Sequence, residues 1–156
     1  MDLRRAVASG CSLAAGPLAM VGFFLPWADG PGVLSSTTFS GFSLVRFTGH
    51  LRQLDLSLAQ GGLLWLVRLA ILAVPIAAAW QAALAPRLRW HVAYTWSGWY
   101  LVAFACVALA MGLWRVGLTG PPSGLALIAA AALCFVAGQL AGHRLDEAGS
   151  AAPFAR

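Results

Sequence analysis

The sequence predicts an all-α membrane protein: a four-helix transmembrane bundle, up-down-up-down, with a small β-rich extracytoplasmic loop between helices 1 and 2. Three observations predict it. Four apolar stretches each reach the length of about 20 residues that crosses a bilayer core of about 30 Å. Of 156 residues, 60% are hydrophobic and 10% are charged. Soluble domains run near 45–50% and 25%, so too few charges exist here to coat a water-facing surface. Finally, arginines, singly or in pairs, lie near the ends of the apolar stretches. The chain reads as one transmembrane domain, residues 1–156.

The first span runs from Ala6 to Trp27, behind Arg4 and Arg5. That layout is shared with signal peptides. This stretch, about 22 residues long, exceeds the apolar region of such a peptide, and no small-x-small site precedes the loop. It ends instead in Phe23-Phe24-Leu25-Pro26-Trp27. The Ala8-Ser9-Gly10-Cys11 run has no apolar segment ahead of it, so it does not read as a lipoprotein cleavage site. The second span covers about 61–84, the third about 92–114 and the fourth about 123–142, leaving an outer loop at 28–60 and a tail at 143–156. The tail is short and rich in small residues, and fraying is expected there.

Orientation follows from arginine placement. Arg4, Arg5, Arg87, Arg89 and Arg144 flank one side, while Arg46, Arg52 and Arg115 flank the other and Arg68 lies nearer that second side. The dense pairs in the short N-terminal and 2–3 segments weigh most, which puts both termini in the cytoplasm. The lysine-free, Ala/Gly/Leu-rich composition resembles that of proteins from GC-rich bacterial genomes, and the membrane expected is the bacterial inner membrane. Trp27, Trp65 and Trp114 are expected at the outer interface, and Trp90 and Tyr94 at the inner one. Trp80, Trp96, Trp99 and Tyr100 lie deeper, where an indole N–H needs an acceptor on a neighbouring helix or a ligand.

In the outer loop, Asp29-Gly30-Pro31-Gly32 is a turn cluster. Residues 33–39 and Phe42 to Phe47 read as two short strands around Ser40-Gly41, a small hairpin capping the bundle. His50 to Gln60, with alternating leucines, reads as a segment hugging the interface. An apolar first span ending in Leu25-Pro26-Trp27, a polar loop with Ser40-Gly41-Phe42-Ser43-Leu44, and three further spans together resemble a group of small bacterial four-span proteins, mostly of unknown function. The architecture also resembles claudin-like proteins, whose first outer loop is large. The paired loop cysteines of that family are missing, so its adhesive role does not transfer. The resemblance implies a topology and no activity.

Arg68 is the one charge well inside a span, about 10 Å from its start at 1.5 Å per residue. Either it snorkels to the interface or pairs with Asp29 or Asp55, or it serves a ligand or partner site. Pro75 leaves the Ile71 carbonyl without its usual donor, and a kink is expected. Gln81 and Gln139 are placed for interhelical hydrogen bonds, while Gly138-x-x-x-Gly142 and Ala108-x-x-x-Gly112 permit close helix approach. Cys11, Cys106 and Cys134 all lie in apolar runs and read as small hydrophobes, unpaired. His91 and His143 share the inner interface. Haem or pigment ligation there would need them facing each other, and amphipathic placement is the simpler reading. No cofactor or metal is expected: metal-ligand spacing does not occur, and the spans hold no Ser/His/Asp set, acidic pair or phosphate loop. With no lysine and arginines scattered singly or in pairs, nucleic acid is not an expected partner either.

These features lead to a non-catalytic expectation: an accessory, scaffolding or assembly subunit of a larger bacterial inner-membrane complex, contacting membrane lipids and other membrane subunits. The alternative is an oligomeric protein that binds or transports a small ligand, lipid or pigment. Phe39, Phe42 and Phe47 in the outer loop are apolar anchors of the type that core an interface, with Arg46 and Arg52 at the rim. Their competing role is to fold onto the bundle top. The orientation has a direct test. Ser36→Cys and Ser150→Cys should label from opposite sides of the membrane with an impermeant thiol reagent; labelling of both from outside would refute the assignment.

Overall fold

The computed structural model describes residues 3–29, 37–51, 58–85, 91–114 and 122–150. In chain order the elements are helix α1 (Leu3–Phe24), strands β1 (Pro26–Asp29) and β2 (Thr38–Ser40), and helices α2 (Gly41–Leu51), α3 (Leu58–Leu84), α4 (His91–Trp114) and α5 (Ser123–Ser150). Four of the helices are long and apolar enough to cross a membrane, over Ala6–Phe24, Gln60–Leu84, Val92–Met111 and Ser123–Gly142. The four expected spans are therefore present, with shifted edges. The first ends at Phe24 because Pro26 biases the residue before it away from helical geometry. Leu25 donates the last helical bond, to the Val21 carbonyl, and Pro26 and Trp27 belong to β1. At the other end α5 continues to Ser150, so the tail expected to fray is helical to that point.

The long helices form a ring in which α1 packs on α3 and α5, and α4 packs on those same two. This places α1 diagonally from α4. The most extensive pairing joins α1 and α5, the first and last helices in the chain. They run antiparallel: Gly22 lies against Gly124 near one end, and Gly138 lies near Ala8 and Ser12 towards the other. The start of α1 and the end of α5 thus share one end of the bundle.

Close backbone approach sets this geometry. A Cβ at Gly22 would stand 2.7 Å from the Gly124 carbonyl oxygen, and one at Gly16 would stand 2.6 Å from the Ala82 nitrogen and 2.7 Å from the Ala78 oxygen. Both distances are too short for any side chain, and the obstacles are backbone atoms that cannot rotate away. Small residues at helix contacts suit a membrane bundle, because lipid supplies no hydrophobic drive and packing must supply the attraction. Of the expected Gly138/Gly142 pair, Gly138 faces α1 more loosely, a Cβ there standing 3.1 Å from Ser12 Oγ and 3.5 Å from the Ala8 carbonyl oxygen, and a Cβ at Gly142 would meet nothing within 4 Å. Phe135, Leu101, Ile128 and Val74 are the large apolar side chains fully buried between the helices. Cys11, Cys106 and Cys134 are free thiols.

The core packing predicts opposite outcomes for two glycines of one helix. Gly16→Val should lower the unfolding midpoint in mild detergent by the equivalent of about 3 kcal/mol, at the upper end of overpacking costs. Gly10→Ala, at a position with open space around it, should leave the midpoint unchanged or slightly raised, since alanine is the better helix former. Thermal denaturation of the two purified variants checks both.

Candidate functional site

The end of the bundle where α1 stops carries a cap built from β1, β2 and α2. The strands pair antiparallel, Pro26 opposite Ser40 and Ala28 opposite Phe39, with a bulge that leaves Trp27 without a partner position. A bulge re-aims the side chain it frees. Here the Trp27 indole turns into the bundle, only 5% exposed. Its ring packs on Phe23 and on Phe104 of α4, with centroids 6.2 and 5.6 Å away. Its Nε1 donates to the Gly22 carbonyl at 2.8 Å. Trp27, expected at the outer interface, lies at the cap end of the bundle with its ring buried, and its N–H finds an acceptor in the last turn of α1.

The expected hairpin is also corrected. Thr38–Ser40 does form a strand, but it pairs with Pro26–Asp29, and Phe42 to Phe47 lies in helix α2. The reason is a capping box. The Ser43 amide donates to Ser40 Oγ at 3.2 Å, and the Ser40 amide donates back to Ser43 Oγ at 2.7 Å. These reciprocal bonds satisfy donors that a helix start otherwise leaves open. Gly41, the first residue of α2, sits where a Cβ would lie 2.6 Å from Phe23 Cδ2 and 2.7 Å from Trp27 Cζ2. A side chain there would lift α2 off the bundle. Residues 33–36 and 52–57 of the expected loop elements lie outside the described residues.

The α2 helix is amphipathic. Leu44 and Val45 pack against the core and Thr48 is buried, its hydroxyl donating to the Val45 carbonyl at 3.0 Å. Arg46 and His50 point outward, flanked by Phe42 and Phe47, which are 48% and 40% exposed. The expected surface residues therefore share one small element but divide by contact. Phe42 packs on Phe24 of α1, centroids 5.9 Å apart, and Phe39 packs edge-on against Phe47 at 5.6 Å. Phe39 thus props Phe47, while Phe42, Arg46 and Phe47 face outward.

Arg68 of α3 meets this cap from below. Its guanidinium lies 5.6 Å from the centroid of the Trp65 ring, a cation–π contact. A Cβ at Gly49 of α2 would lie 3.6 Å from Nη2. The cap thereby bridges two helices, seated on α1 at Gly41 and on α3 at Gly49. Of the two carboxylates expected as partners, Asp55 lies outside the described residues, and no bond joins Arg68 to Asp29.

Deeper in the bundle, polar groups tie helices together. Gln81, fully buried, donates through Nε2 to the Tyr94 carbonyl of α4 at 3.3 Å, the interhelical bond its position suggested. α3 is one helix through Pro75, and the Tyr100 hydroxyl donates to the Ala70 carbonyl. That acceptor neighbours the Ile71 carbonyl, which Pro75 deprives of its donor. Trp99 stacks edge-on against Phe135 at 5.8 Å, whereas Trp80 and Trp96 face outward. Among the described residues no group of three or more His, Cys, Asp or Glu converges as metal ligands would. Comparison with protein-family models, with curated proteins and with solved structures gave no match.

The capping box generates a prediction for the site. Ser40→Ala should destabilise the cap by about 1 kcal/mol, the usual cost of losing an N-cap oxygen. Ser43→Gln should cost less, because glutamine at this position can still reach back to the Ser40 amide. Hydrogen exchange at the amides of residues 42–45, compared between the two variants, reads the difference.

Proposed function

We propose that this chain is a non-catalytic accessory or assembly subunit of a larger bacterial inner-membrane complex, and that the outward face of α2 is where an aqueous or interfacial partner docks. The observation that carries the reading is the rigid presentation of Phe42, Arg46 and Phe47 on a capped helix anchored at both ends to the bundle. Half-exposed aromatics beside an arginine are the residue types that concentrate binding energy at interfaces. Pre-organisation adds to this, since a surface already ordered loses little entropy on binding. The bundle interior supports the same reading. Among the described residues the buried polar ones are Thr48 and Gln81, each with a hydrogen bond within the chain, while Gln81 Oε1 and the Tyr94 hydroxyl are buried without a partner. Phe135, Leu101, Ile128 and Val74 are fully buried between the helices, and this largely apolar packing suits a scaffold.

The test targets the outward pair and spares the prop. Phe42→Ser with Phe47→Ser should release the protein from the complex it joins in native membranes, while membrane insertion and the unfolding midpoint stay within about 1 kcal/mol of the parent, as befits surface positions. Blue-native electrophoresis of mild-detergent extracts reads the association. Complete retention in the high-mass species would move the docking surface to the lipid-facing helices.

A further inference from the structure

Among the described residues the least explained charge is Arg68. It lies in an apolar span, flanked by Leu66, Val67 and Leu69, all exposed on the helix surface. Its Nε is buried and has no hydrogen-bond partner. The guanidinium is held from two sides, over the Trp65 ring at 5.6 Å and against Gly49 of α2, where a Cβ would lie 3.6–3.9 Å from Nη2, Cζ and Nη1. A charge within a span marks a functional site by default. An arginine fork fixed in orientation is suited to bidentate binding of a phosphate oxyanion.

The level of this notch decides between ligands. Gly16 of α1 packs on Ala78 and Ala82. From there to Arg68 is about 18 Å along α3 at 1.5 Å per residue, and from Gly16 to Phe24 about 12 Å along α1, which puts Arg68 just beyond the end of α1, at the level of the cap. Headgroups would meet the bundle at this end, and the notch is bordered by the exposed apolar side chains of Leu66, Leu69 and Trp65. Arg46, three residues before Gly49, stands exposed on the same short helix. A fixed guanidinium bordered by apolar side chains matches a phospholipid, whose phosphodiester is an oxyanion and whose tails are apolar.

We propose that the notch between α2 and α3 binds the phosphodiester of an anionic phospholipid, held by Arg68 over Trp65, with the acyl chains lying along the exposed face of α3. The site is independent of partner docking on the outward face of α2, because it uses the flank of α2 at Gly49 and the body of α3.

The experiment uses the full chain purified in a neutral detergent, titrated with dioleoylphosphatidylglycerol and, in separate arms, with dioleoylphosphatidylcholine and with inorganic phosphate. Native mass spectrometry counts bound lipid, and thermal unfolding reports stabilisation. The wild type should bind one phosphatidylglycerol with preference over phosphatidylcholine and be stabilised by it. Arg68→Gln should weaken that binding about ten-fold or more, the scale of a lost charge-assisted hydrogen bond. Gly49→Val fills the notch without touching the charge and should weaken it as well, which covers the case in which Arg68→Gln fails to fold. Undiminished phosphatidylglycerol binding in either folded variant would overturn the proposal. So would equal stabilisation by inorganic phosphate, which would assign the notch to a free anion. Loss of a co-purifying polypeptide from Arg68→Gln with lipid binding intact would overturn it in favour of a partner's carboxylate.

Discussion

Backbone contact between α1 and its two neighbours is the constraint on which the rest of the structure depends. Gly22 against Gly124 and Gly16 against Ala78 and Ala82 bring helices together at distances no side chain would permit. With α1 fixed so closely to both α3 and α5, the end of α1 becomes a defined platform. Phe23 and Trp27 stand on that platform, and Gly41 is the one residue type that seats α2 against them. The exposure of Phe42 and Phe47 and the enclosure of Arg68 both follow from where that helix is seated. In lipid this ordering of causes is natural, because apolar side chains gain little by leaving the bilayer and van der Waals packing has to decide the arrangement.

The transmembrane part of this fold was legible in the sequence, and the cap was only partly so. Length and apolarity alone identify a span, because every backbone polar group in lipid must be satisfied within its own helix. No comparable rule governs the residues from Phe42 to Phe47. Their mixed aromatic and β-branched pattern suits a strand by composition, and a six-residue window holds too few turns to separate periods of 2 and 3.6. The deciding signal was present as Ser40-x-x-Ser43, but the usual box has Glu or Gln at its last position, and serine there is easily read as a turn residue. The packing of Trp27 was hidden for a different reason. Its burial depends on a bulge and on a pairing between β1 and β2, a non-local relation that neither segment announces.

The candidate site shows the same division. Arg68 stands out from sequence because charge inside a span is rare, and its neighbour Trp65 lies three residues away on the same helix face. Gly49 gave no signal, being one of 17 glycines; its meaning appears only when α2 crosses α3. Phe39, Phe42 and Phe47 were recognisable as a group but not as a prop and two outward faces, since the distinction rests on which rings meet. Gln81 was the simplest case: an amide in a span has few ways to satisfy itself other than a neighbouring helix, and the Tyr94 carbonyl provides one.

The dominant pairing of α1 with α5 has a consequence for how the molecule is made. The ribosome delivers α1 well before α5, so α1 must wait through the synthesis of α2, α3 and α4 before its principal partner reaches the bilayer. During that interval Gly22 of α1 has no Gly124 to pack against and is open to lipid or to the wrong helix. Arrival of α5 is therefore the moment of ring closure, and a polypeptide truncated before α5 would present an unmatched small-residue surface.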